Sequence, residues 1–91
     1  MKIARRCRVC GRVQGVGFRF FVAAEAERLK VGGYVRNRDD GSVEAFIEGE
    51  EAGVLALVER LRQGPHWSRV EDVHVEVLVP SGKYSRFTIT G

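Results

Sequence analysis

Apolar residues open the chain at odd positions. Ile3, Cys7, Val9 and Val13 alternate with polar neighbours, which predicts a strand with one buried face over about Ile3–Val13. The period then changes. Phe18, Phe21, Val22, Ala26 and Leu29 follow helical spacing to about Lys30, with Glu25, Glu27 and Arg28 expected to point outward and Gly32-Gly33 to end the helix. A short strand, Tyr34–Asn37, reaches the hairpin signal Asp39-Asp40-Gly41 and returns through Val43 to Ile47. Gly49 and the acidic pair Glu50-Glu51 introduce a second helix with an apolar face of Val54, Leu57, Val58 and Leu61, which stops at Gly64-Pro65. Val73, Val75, Val77 and Val79 alternate with His74, Glu76 and Leu78 as a fourth strand. Pro80-Ser81-Gly82 turns the chain, and Phe87 with Ile89 marks a short fifth.

The order β-α-β-β-α-β-β has one economical solution. It is an α+β, ferredoxin-like α/β sandwich: a mainly antiparallel five-stranded sheet with both helices on one face. A chain of 91 residues suits one compact domain, 1–91. Strands one and two, joined by a helix, must run parallel, so their carboxyl ends lie at the same sheet edge, where ligands gather in related layouts. The loop Gln14–Arg19 leaves the first strand at that edge and Asn37 leaves the second. Topology is therefore expected to bring Arg19 and Asn37 together.

The stretch Val13-Gln14-Gly15-Val16-Gly17-Phe18-Arg19 breaks a strand into a glycine-rich turn and then a helix bearing an arginine. Glycines let the backbone approach a ligand closely, and the free N–H groups of a helix start favour an anion. Charge supports this. Lys2, Arg5, Arg6, Arg8, Arg12 and Arg19 are the only charged side chains before Glu25, so this end carries +6; the whole chain totals +3, leaving −3 for the rest. The four arginines from Arg5 to Arg12 are expected mostly on the solvated face of an edge or half-open strand. Arg19, at the loop–helix junction, is the exception.

Cys7 and Cys10 have the spacing of a metal or redox motif, but side chains three apart on a strand point to opposite faces, and their Cα atoms would lie roughly 10 Å apart. They read as two unrelated thiols. His66 and His74 read as loop and strand-surface residues, so no metal is expected. No apolar run approaches a bilayer span of roughly 18 residues, and the basic start lacks a signal-peptide core. The expected location is cytoplasmic.

Val9-Cys10-Gly11-Arg12-Val13-Gln14-Gly15-Val16-Gly17-Phe18-Arg19 closely resembles the first signature of the acylphosphatases. Gly33-Tyr34-Val35-Arg36-Asn37, followed by Gly41, Val43 and Gly49, resembles the second. The resemblance covers nearly the whole chain. It implies hydrolysis of the carboxyl–phosphate bond of acyl phosphates to a carboxylate and inorganic phosphate, with no metal or cofactor. By motif position it makes Arg19 the phosphate-binding arginine and Asn37 the water-orienting asparagine. The backbone N–H groups of Gly15, Val16, Gly17, Phe18 and Arg19 complete the cradle, and Gln14 supports the loop. Tyr34 and Phe18 are expected as core or site-wall aromatics. The expected partner is a small-molecule acyl phosphate bound by a monomer, without nucleic acid or membrane. Two alternatives come from other classes. One is a nucleic-acid-binding module of the same fold, which the placement of aromatics on a helix start argues against. The other is an accessory carbamoyl-phosphate-binding domain like that of the hydrogenase-maturation carbamoyltransferases.

Overall fold

A computed structural model describes all 91 residues. Its elements are β1 (Lys2–Arg12), α1 (Phe18–Leu29), β2 (Gly32–Asn37), β3 (Val43–Glu50), α2 (Glu51–Gln63), β4 (Arg69–Leu78) and β5 (Phe87–Ile89). The strands form one sheet in the order β4-β1-β3-β2-β5. Every neighbouring pair is antiparallel except β2 and β5, which run parallel. The sheet is thus mixed, though mainly antiparallel. Because β1 and β2 both flank β3 antiparallel, they run parallel to each other.

Period-two burial builds the core from one sheet face. Cys7 and Val9 of β1, Ala45 and Ile47 of β3 and Val35 of β2 meet Phe18, Val22 and Ala26 of α1 and Val54, Leu57 and Leu61 of α2. Glu25 is not turned outward: its carboxylate accepts from Arg28 at 2.8 Å and from Arg60 of α2 at 2.9 Å, tying the two helices together. Cys7 and Cys10 are free thiols, and burial pushes the Cys7 thiol up to about 11 against the pull of Arg62 and Arg5.

Element ends and strand positions differ from expectation in several places. Helix α1 ends before the glycine pair, at Lys30, which itself adopts the left-handed conformation with φ 60° while Val31 N–H donates back to Ala26 O at 2.9 Å. Gly32 and Gly33 open β2 instead, where the chains approach closely; a Cβ on Gly33 would sit 1.8 Å from Phe46 O. Strand β1 is interior and half-open, not an edge: Arg6 and Arg8 lie on the open sheet face, as the second of the two expected placements has it, whereas Arg5 shares the helix-side parity and donates Nη1 to Ala4 O. The fourth strand begins earlier than its valine run, at Arg69, and as an edge strand it leaves Val77 71% exposed.

The open face is not simply solvated. Glu48 of β3 is buried beneath the segment joining β4 to β5, and its carboxylate accepts from Ser81 N at 2.6 Å, Ser81 Oγ at 2.8 Å, Tyr84 N at 3.1 Å and Gly82 N at 3.3 Å. Burial pushes this carboxyl up, but the bonds from Ser81, Tyr84 and Gly82 outweigh it and hold it below the usual carboxylate range. A depressed folded pKa means that the stabilisation is present above the unfolded value and lost as pH falls through the folded one. Glu48→Gln is therefore expected to cost on the order of 2 kcal/mol at neutral pH, by leaving buried donors without a charged acceptor. Urea melts should show the gap between parent and variant narrowing as pH falls below the ordinary glutamate value of 4.5; a gap independent of pH would rule out the carboxylate as its source.

Candidate active site

The turn between β1 and α1 is shaped by two left-handed glycines, Gly15 at φ 74° and Gly17 at φ 80°. Gly17 is the N-cap of α1, and its carbonyl accepts the first helical bond from Phe21 N at 3.0 Å. No side chain caps this helix start and no acidic residue lies in its first turn. Its leading N–H groups are therefore left for an external acceptor, with the helix dipole favouring negative charge. Phe18 is buried in the core and Val16 packs partly against it, which pins the loop at both sides of Gly17. Arg19 follows at the rim, half-buried.

Asn37 closes β2 at the same sheet edge. Beyond β5 the chain continues alongside it: Thr90 N–H donates to Val35 O at 2.9 Å, and Asn37 N–H donates to Gly91 O at 3.1 Å. The same Gly91 oxygen accepts from Arg19 Nη1. One oxygen atom thus joins the arginine of α1 to the main chain of the asparagine of β2. The side-chain oxygen Oδ1 of Asn37 is buried and has no protein donor.

Gln14 binds the two halves from the other side. Its Nε2 donates to Arg38 O at 2.8 Å and to Ser42 O at 2.9 Å, so the glycine loop is fastened to the hairpin that follows Asn37. Arg19, Asn37, Gln14 and the loop 15–18 therefore converge, in line with the parallel course of β1 and β2.

Tyr34 does not wall this site and does not enter the core. Its parity on β2 puts it on the open face with Arg36, whereas Val35 and Asn37 face the other way. There its hydroxyl donates to Glu44 Oε2 at 2.7 Å, and its ring packs on Phe46 and Tyr84 with centroids 5.9 and 5.8 Å away. Alternation along the strand carries the signal that separates the two residues. Whether Gly91 reaches Arg19 is a question the sequence leaves open, because the contact runs through a main-chain oxygen brought there by strand pairing.

Comparison with known proteins bears on the whole chain. The sequence model of the acylphosphatase family matches residues 5–89. The acylphosphatase of Rhizobium etli is 49% identical over 97% of this chain and 94% of its own length. The crystal structure of acylphosphatase from Bacillus subtilis superposes with a TM-score of 0.93 at 43% identity, covering 98% of this chain and 99% of that one. Full-length HypF in its phosphate- and nucleotide-bound form is also similar, with a TM-score of 0.87 and 29% identity, although the match covers 100% of this chain and only 12% of HypF. With the signatures, the fold and these matches in agreement along nearly its entire length, the chain belongs to the acylphosphatase family.

Proposed function

We propose that this protein hydrolyses acyl phosphates, with Arg19 and the backbone N–H groups of Gly15, Val16, Gly17, Phe18 and Arg19 binding the phosphoryl group and Asn37 orienting the attacking water. The observation that carries the reading is the Gly91 oxygen shared by Arg19 Nη1 and Asn37 N–H, which sets both residues at one sheet edge, where Asn37 Oδ1 has no protein donor. An amide oxygen in that position accepts a hydrogen bond from water without repelling a dianion. The planar fork of Arg19 can grip two phosphoryl oxygens at once.

The reaction asks little covalent chemistry of the protein. Water oxygen bonds to phosphorus, the bond between phosphorus and the acyl oxygen breaks, and the carboxylate leaves with the electron pair. Asparagine is too weak a base to hold the water's proton, so a phosphoryl oxygen takes it, giving inorganic phosphate. Positioning and charge stabilisation supply the rate, as in phosphoryl transfer generally. The reading needs no metal or cofactor. It describes a single domain, 1–91, working as a cytoplasmic monomer on a small molecule and requiring neither nucleic acid nor membrane. No helix is long and apolar enough to cross a bilayer. Similarity along 94% of the Rhizobium etli acylphosphatase supports a hydrolase over an accessory domain.

Release of phosphate from benzoyl phosphate in excess chelator tests the assignment. Activity should persist, and Arg19→Lys and Asn37→Ala should each remain folded while losing at least about a hundredfold in rate; near-parental turnover by either variant would remove that residue from the mechanism. Gln14→Ala should cost roughly tenfold through misplacement of the loop against the hairpin. On the acid side, the rate should follow the substrate's own ionisation across different acyl phosphates; a single enzyme pKa common to all of them would require a protein base.

A further inference from the structure

On the sheet face away from the helices, strand register lines up His74 of β4, Arg8 of β1, Glu44 of β3 and Arg36 of β2 in one row. Arg6 and Arg38 flank this row at the same parity. Together these side chains line a depression of about 450 Å³ that also takes in Glu76. Four guanidinium groups face Glu44 and Glu76 in its lining, with Asp40 beside Arg38 and Asp72 beside His74 at the rim.

The acids do not satisfy all of the arginines. Glu44 is buried; its Oε1 accepts from Arg36 at 3.0 Å and from Arg38 at 2.9 Å, and its Oε2 is taken by Tyr34. Glu76 is occupied by Arg6, through bonds of 2.9 and 3.1 Å. His74 faces Asp72 at 3.0 Å. Arg8 enters no ion pair and no side-chain hydrogen bond, although its Nε is shielded from solvent. Arg38 Nε is likewise shielded, with only Asp40 Oδ2 near it at 3.6 Å. The shielded Nε atoms face inward, but the Nη groups of Arg8 are open and carry no acceptor, and guanidinium groups held this close together are a receptor for a compact anion with several oxygens.

We propose that the open face of the sheet is a second anion site, distinct from the Arg19 cradle, which takes a small multivalent anion of the oligophosphate class on Arg8 and Arg38, with Arg6 and Arg36 beside them. Size and surroundings favour a small ligand over a nucleic-acid strand. The neighbouring aromatics Tyr34, Phe46 and Tyr84 pack against one another, and Phe46 is only 8% exposed beneath the segment that Glu48 holds down. Only Tyr84, 37% exposed, is left partly open there, one ring where a strand needs a series of stacking platforms. The site adjoins the chemistry through one strand, since Arg36 and Arg38 bracket Asn37 from the opposite face.

Titration with pyrophosphate at constant ionic strength, read at the arginine Nε–H resonances by NMR, separates the two sites. Arg8 and Arg38 should shift along a saturable isotherm of their own, different from that of Arg19. Arg8→Gln, checked for an intact amide spectrum, should weaken the Arg38 isotherm by at least tenfold while leaving Arg19's isotherm and benzoyl phosphate hydrolysis within about twofold; Arg38→Gln should weaken the Arg8 isotherm likewise. The proposal is overturned if Arg8 and Arg38 do not respond while Arg19 does, if sodium chloride of equal ionic strength gives the same shifts, or if Arg8→Gln leaves the Arg38 isotherm unchanged. It is also overturned if a single-stranded oligonucleotide displaces pyrophosphate from these arginines at tenfold lower phosphate concentration.

Discussion

The oxygen of Gly91 is where the two halves of the site meet. It accepts from Arg19 at the start of α1 and from the main chain of Asn37 at the end of β2. Helix α1 and strand β2 can share one acceptor only because β1 and β2 run in the same direction on either side of β3, so that both leave the sheet at the same edge. The parallel pairing of β5 with β2 then carries the last residues to that edge. Register, direction and the position of the chain's last stretch thus converge on a few ångströms of space.

The contact also sets the rigidity of the site. A guanidinium at a helix start would ordinarily sweep through several rotamers, and the bond to Gly91 O restricts Arg19 to fewer of them. Gln14 acts similarly on the other side, holding the glycine loop to the carbonyls of Arg38 and Ser42. The loop before α1 is therefore built from flexible residue types made stiff by their neighbours. Glycines permit the turn, while Phe18 and Val16 anchor it in the core.

The sheet's two faces are put to different uses. Toward the helices, β3 buries Val43, Ala45 and Ile47; away from them it buries Glu44 and Glu48. Buried carboxylates are tolerable only when donors surround them, and here they are met by Tyr34, Arg36 and Arg38 for one and by the β4–β5 segment for the other. Each acid organises a separate region of the open face: Glu48 folds a loop over the aromatic cluster, and Glu44 gathers arginines that would otherwise repel one another.

Local signals settled most of the architecture. Alternation in β1, helical spacing in α1 and α2, and the Asp39-Asp40-Gly41 hairpin each act over a few residues, so element order and fold class were legible from them. Two sequence signatures likewise marked Arg19 and Asn37, and connectivity placed them at one edge. Long-range packing decided the rest. That Gly32-Gly33 serves close approach to Phe46 and Tyr84, that Val75 and Val77 of β4 lie exposed while Val73 packs on the core, and that Gly91 reaches Arg19 all depend on which strands become neighbours. The polarity of Glu44 and Glu48 likewise suggests exposure until chain from elsewhere covers them. Sequence determines which surfaces each element offers; only the assembled sheet determines what each surface meets.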